Sequence, residues 1–84
     1  PDAGPGLTEQ ISALEARIRR DRESGDLGAD AARDALASLD AIRDEQSSLR
    51  ARNGGVLAEA DRQYLSTRLT ELTRRVRWQE ESGH

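Results

Sequence analysis

The sequence predicts an all-α protein, an antiparallel three-helix bundle, and three observations carry that prediction. Leu65, Leu69, Leu72 and Val76 are spaced by four, three and four residues, the interval that lines up side chains along one narrow stripe of a helix. The same interval occurs near the start of the chain in Leu7, Ile11, Leu14 and Ile18, and a third seam, Ala35, Leu39, Ile42 and Gln46, lies between them in sequence. The two intervening breaks, Ser24-Gly25-Asp26-Leu27-Gly28 and Asn53-Gly54-Gly55, are short and rich in glycine, so successive helices must run antiparallel as neighbours.

Taken in order, residues 1–6 hold both prolines and two of the seven glycines, and are expected to form a flexible lead. The first helix is expected over about 8–23, with Thr8 as its cap and Glu9 at the positive end of the helix dipole. Gly25 can take the left-handed conformation that ends a helix, and Gly28 is an acceptable cap for the next. The second helix is expected over 29–52, with Asp30 and Asp34 near its start and Arg50 and Arg52 near its end. Asn53-Gly54-Gly55 is the strongest breaker in the chain. A third helix follows over about 57–80, entered through Val56 and Leu57; Ala58 is a poor cap, and residues 81–84 are expected to be loose. Both turns share one form, an arginine, two residues, a glycine, one residue and a leucine, in Arg22 to Leu27 and again in Arg52 to Leu57. The last two helices therefore read as copies of one turn-plus-helix unit, and two copies favour a closed bundle over a solenoid.

Antiparallel pairing stacks the seams into four layers: Ile18/Ala35/Val76, Leu14/Leu39/Leu72, Ile11/Ile42/Leu69 and Leu7/Gln46/Leu65. The arginines at the ends of the first and third helices (Arg17, Arg19, Arg20, Arg22, Arg74, Arg75, Arg77) then gather at one pole. Asp26, Asp30 and Asp34 of the second helix are expected to meet them there. Gln46 is the one polar seam residue, and its amide either reaches water or backbone near the bundle end or sets the helix register.

With 84 residues there is room for one small core. No cysteine is present, which removes disulfide staples and Cys/His zinc or redox sites. Every basic residue other than His84 is an arginine. These thirteen interleave with sixteen carboxylates at a net charge of −3, so a dedicated nucleic-acid binder is not expected. No run of about 18 apolar residues exists to span a membrane. The chain does not begin with methionine, so a processed or trimmed product is expected.

His84 is the only histidine and occupies the last position, so no nucleophile–histidine system can be assembled, and neither enzyme activity nor a cofactor is expected. Asp21, Glu23, Asp26, Asp30 and Asp34 crowd the first turn and raise calcium binding. An EF-hand loop nonetheless needs glycine sixth and a bidentate acid twelfth, and counted from Asp21 the glycine is fifth and the twelfth residue is Ala32. Capping and ion pairing therefore lead over a metal site. Tyr64 and Trp78 lie fourteen residues apart on one helical face, with Arg68, Glu71 and Arg75 between them. Tyr64, Arg68, Arg75 and Trp78, together with Leu36, are the candidate partner surface, because tyrosine, tryptophan and arginine dominate binding hot spots. In the competing reading Trp78 covers Leu36 and Ala32, with Arg74 or Arg75 stacked on its ring.

The turns Gly25-Asp26-Leu27-Gly28 and Gly55-Val56-Leu57-Ala58, with the closing stretch Leu69-Thr70-Glu71-Leu72-Thr73-Arg74-Arg75-Val76-Arg77-Trp78, resemble a group of small exported bacterial helical proteins of uncharacterised function, built on glycine-x-leucine-threonine turns. The likeness covers roughly residues 20–78, although Gly28 and Ala58 stand where threonine is usual. It implies a helical fold and a periplasmic or envelope setting, with a cytoplasmic one as the alternative. The functional expectation is a non-catalytic helical interaction or scaffold module, meeting a protein partner or a second copy as a weak homodimer. The alternative is a metal or small-ligand sensor using the acidic first turn.

Overall fold

The computed structural model describes residues 6–82. It consists of three helices, α1 (Leu7–Ser24), α2 (Ala29–Arg52) and α3 (Glu59–Ser82), each packed against the other two in a bundle with extents of 44 × 25 × 17 Å. The expected all-α three-helix architecture is the one observed.

The seams meet as their spacing requires. Eleven of the twelve seam residues are buried, and Leu7, at the open end, is half-buried. Leu27 and Ala32, which the seam pattern does not include, are also buried and belong to the same cluster, closing the core at the first-turn pole. Leu27 reaches it because the turn folds back on α1, the Leu27 amide donating to the Asp21 carbonyl at 3.0 Å. Leu57, its counterpart at the second turn, is half-buried against the core.

Helix boundaries depart from expectation where caps decide them. Helix α1 starts at Leu7 with Gly6 as its cap, since the Gly6 carbonyl accepts the first helical bond from the Gln10 amide at 3.0 Å and Glu9 reaches back to the Gly6 N–H at 3.4 Å. Thr8 is therefore inside the helix, and its hydroxyl serves another purpose described below. Residues 1–5 of the expected lead lie outside the described residues, and Gly6 belongs to the helix start. Helix α2 spans the expected range. Helix α3 begins two residues later than expected, with the Ala58 carbonyl accepting from the Arg62 amide at 2.9 Å. It continues through Glu81 and Ser82, residues expected to be loose; Gly83 and His84 lie outside the described residues.

Glycine is required at the turns. Gly25 has φ 87°, and Gly54 and Gly55 have φ 68° and 94°, all in the left-handed region, whereas Asn53 keeps a negative φ and holds the turn by donating its side-chain amide to the Val56 carbonyl at 2.9 Å.

Candidate functional site

Each pair of helices is tied by one arginine–carboxylate clamp. Arg43 on α2 donates to Glu15 on α1 at 2.5 Å, and Glu15 also accepts from Arg19 at 2.9 Å. These two guanidiniums hold the Glu15 carboxyl below the usual range. Arg68 on α3 pairs with Glu45 on α2. Arg17 on α1 grips Glu80 on α3 through two donors, Nε at 3.1 Å and Nη2 at 2.6 Å, a forked geometry that is among the stronger side-chain pairings.

Asp21 completes the last cluster, 3.6 Å from Arg17 Nε and next to Glu80, which the same guanidinium grips. The Glu80 partner and partial burial push the Asp21 pKa above its ordinary value, while the Arg17 guanidinium holds that of Glu80 below. Glu80 thus takes the larger share of the guanidinium, and its charge makes ionisation of Asp21 less favourable.

This cluster replaces the charge matching expected at the pole. Asp30 pairs instead with Arg33 of its own helix at 2.7 Å, with a side chain 90% exposed, and Asp26 accepts from Ser24 Oγ at 3.1 Å. Asp34 forms no ion pair among the described residues. The carboxylates of the acidic first turn do not converge, because among the described residues no three metal-ligating side chains come together.

Gln46 is 7% exposed, and its Nε2 donates to the Thr8 hydroxyl at 3.1 Å, joining α2 to α1 at the open end. Its partner is thus a side chain of the neighbouring helix, and the bond ties α2 to α1 there.

The proposed partner-surface residues separate into three groups. Trp78 is 66% exposed and Tyr64 49% exposed, and helical spacing puts both on the outer face of α3 with exposed Arg75, which forms no ion pair among the described residues. Trp78 therefore does not act as core cover. Arg68 is committed, clamping Glu45 while lying over the Tyr64 ring at 5.9 Å, so the cation–π contact forms on tyrosine and not on tryptophan. Leu36 is half-buried against the core and lines a groove between α1 and α2 with Arg19, Arg22 and Asp40, so it faces away from the α3 strip.

A second groove, of about 400 Å³, runs between α1 and α3 and was not anticipated. Ala13, Leu14 and Leu69 form its floor, and Arg17, Arg74 and Arg77 its charged rim, with no carboxylate in the lining. The signal was in the sequence: Ser66, Thr70, Thr73 and Arg77 repeat the four, three, four interval beside the apolar seam. No helix among the described residues is long and apolar enough to cross a membrane.

Fold and surfaces together define a small all-α bundle whose helices are joined by arginine–carboxylate clamps and whose surface, among the described residues, includes an aromatic strip on α3 and grooves along α1–α2 and α1–α3. No family model, curated protein or solved structure matches this chain.

Proposed function

We propose that this protein is a non-catalytic helical interaction or scaffold module that docks another protein, or a second copy, through the outer face of α3. The observation that carries the reading is Trp78, one of only two aromatic residues, which exposes two-thirds of its surface beside Arg75 and on the same helical face as Tyr64. A large apolar side chain held in water on a protein with so few is a feature of interfaces, where tryptophan, tyrosine and arginine contribute most. The clamps support a non-catalytic role, since the carboxyls with shifted pKa are engaged with arginines, and so does the absence of converging ligands at the first turn among the described residues. Nucleic acid is disfavoured as a partner because Arg17, Arg19, Arg33, Arg43, Arg62 and Arg68 are paired with carboxylates. The resemblance of the turns to exported helical proteins supports a periplasmic or envelope setting, which fractionation of the source cell tests.

Association measured by sedimentation velocity tests the docking reading. Trp78→Ala should weaken association with a copy, or with a partner recovered from the source compartment, while leaving the melting temperature almost unchanged. A large fall in melting temperature with no effect on association would overturn it. So would a clear rise in melting temperature with calcium, which would transfer function to the acidic turn.

A further inference from the structure

Helix α2 carries a second seam on its solvent side. Asp30, Asp34, Ala37, Ala41, Asp44, Ser48 and Ala51 follow one another at alternating intervals of four and three, as the core seam does, and every one of them is exposed. This face is shallow, because its central side chains are alanines, and its acidity comes from Asp34 and Asp44, which form no ion pair among the described residues, since Asp30 is paired with Arg33. The groove between α1 and α3 lies on the opposite side of the bundle from it and has the complementary character: an apolar floor, two threonine walls at Thr70 and Thr73, and a rim of guanidiniums without carboxylates. Arg17 is engaged with Glu80, but Arg74 forms no ion pair among the described residues and Arg77 interacts with Glu80 only at longer range.

The heights match as well. Antiparallel pairing of the buried seams sets Ala35 level with Ile18 and Val76, and Leu39 with Leu14 and Leu72. On that scale Asp34 is level with Arg77, Ala37 with Arg74, and Ala41 with Thr70 and nearly with Ala13. A copy displaced sideways with no shift along the helix axes would set its Asp34 against the arginine rim and its alanines over the groove floor. Its α2 would then run antiparallel to α1 and α3, the same relation that α2 of the first copy has to them from the other side.

We propose that the α1–α3 groove takes the acidic solvent face of α2 from a second copy of this chain, so that copies stack laterally, head to tail. The inference rests on the reading of the chain as an interaction module, but it uses a surface distinct from the Trp78 strip. Because donor and acceptor faces differ, the contact does not close on itself, and stacking continues beyond a dimer. Because it is led by exposed charges, salt weakens it.

Sedimentation velocity of the full chain over a wide concentration range tests this. At about 20 mM salt the weight-average mass should climb past that of a dimer, and at about 0.5 M salt, where screening acts within a few ångströms, it should return toward the monomer. Arg74→Glu with Arg77→Glu, and separately Asp34→Arg with Ala37→Arg, should each abolish association while helix content by circular dichroism is unchanged. Mixing the two variants should restore it, since one keeps an intact acidic face and the other an intact groove. Association that survives both charge reversals but is lost in Trp78→Ala would overturn the stacking and leave the interaction-module reading intact. A monomer at every concentration and salt overturns it too. Polyglutamate or duplex DNA that binds wild type but not Arg74→Glu/Arg77→Glu, on copies that never associate, would assign the groove to that anion and overturn self-stacking.

Discussion

Gln46 shows how one side chain can be a liability for stability and an asset for alignment. Its seam position would hold leucine in a wholly apolar core, and the amide donates instead to the Thr8 hydroxyl. Because Thr8 is itself exposed, its hydroxyl turns to water if the amide is removed, so no buried polar group is orphaned. Gln46→Leu should therefore stabilise the protein by about 1 kcal/mol in urea denaturation, from the apolar surface it buries. Gln46→Ala leaves a gap with nothing to offset it and should destabilise. If Gln46→Leu lowers the midpoint, the Gln46–Thr8 bond contributes more than burial at that layer.

At the scale of elements, turns and clamps decide how the helices meet. Gly25 has open space around its α-carbon, so a methyl group there would meet no neighbour and only backbone conformation opposes it. Gly25→Ala should cost about 1 kcal/mol, read as a fall in melting temperature, because φ 87° is unfavourable for any residue with a β-carbon. The Arg17–Glu80–Asp21 cluster makes the α1–α3 contact pH-dependent in two opposed senses. Glu80 has its pKa lowered on folding, so its contribution is present above the unfolded value near 4.5 and is lost as pH falls through the folded value. Asp21 has its pKa raised, so its contribution is present below the unfolded value near 3.8 and is lost as pH rises through the folded value. Two expectations follow for melts at pH 7 and pH 3. Asp21→Asn should raise the melting temperature at pH 7 and have little effect at pH 3, whereas Glu80→Gln should lower it at pH 7 and lower it less at pH 3. Wild type should lose stability between those values, since Glu15 and Glu59, like Glu80, have carboxyls held low by arginines, and among the described residues Asp21 is the one carboxyl shifted the other way.

For the molecule as a whole, stability rests on a thin core shared by all three helices. Leu39 is 1% exposed near the middle of the buried seam of α2, in a core that also holds Leu14 and Leu72. Leu39→Ala should cost about 2–5 kcal/mol, a large part of what a domain this small possesses, and chemical denaturation would show it as an early midpoint. Leu7→Ala, at the half-buried open end, should cost far less. Equal losses at the two sites would mean that the core is not graded from its centre to its end.

Periodicity determined the three helices and eleven of the core positions, because burial of one face imposes a helical interval on the sequence wherever the helix lies, and the shortness of the two turns determined the antiparallel order. The glycine turns were equally legible, since the left-handed backbone at Gly25, Gly54 and Gly55 tolerates few other residues. The cap of α1 was not: Thr8 and Gly6 are both acceptable there, and packing of Leu7 on the core, with Thr8 beside Gln46, selected the glycine. Charge partners were the least legible. Arginine side chains are long enough to reach several carboxylates, so the choice of Glu80 over Asp30 for the pole, and of Glu45 over a partner protein for Arg68, depended on which carboxylate each helix crossing brought within a few ångströms. The candidate surface divided for the same reason. Leu36 and Trp78 lie on different helices, and only the rotation of each helix about its own axis decided that one turns toward α1 and the other toward solvent.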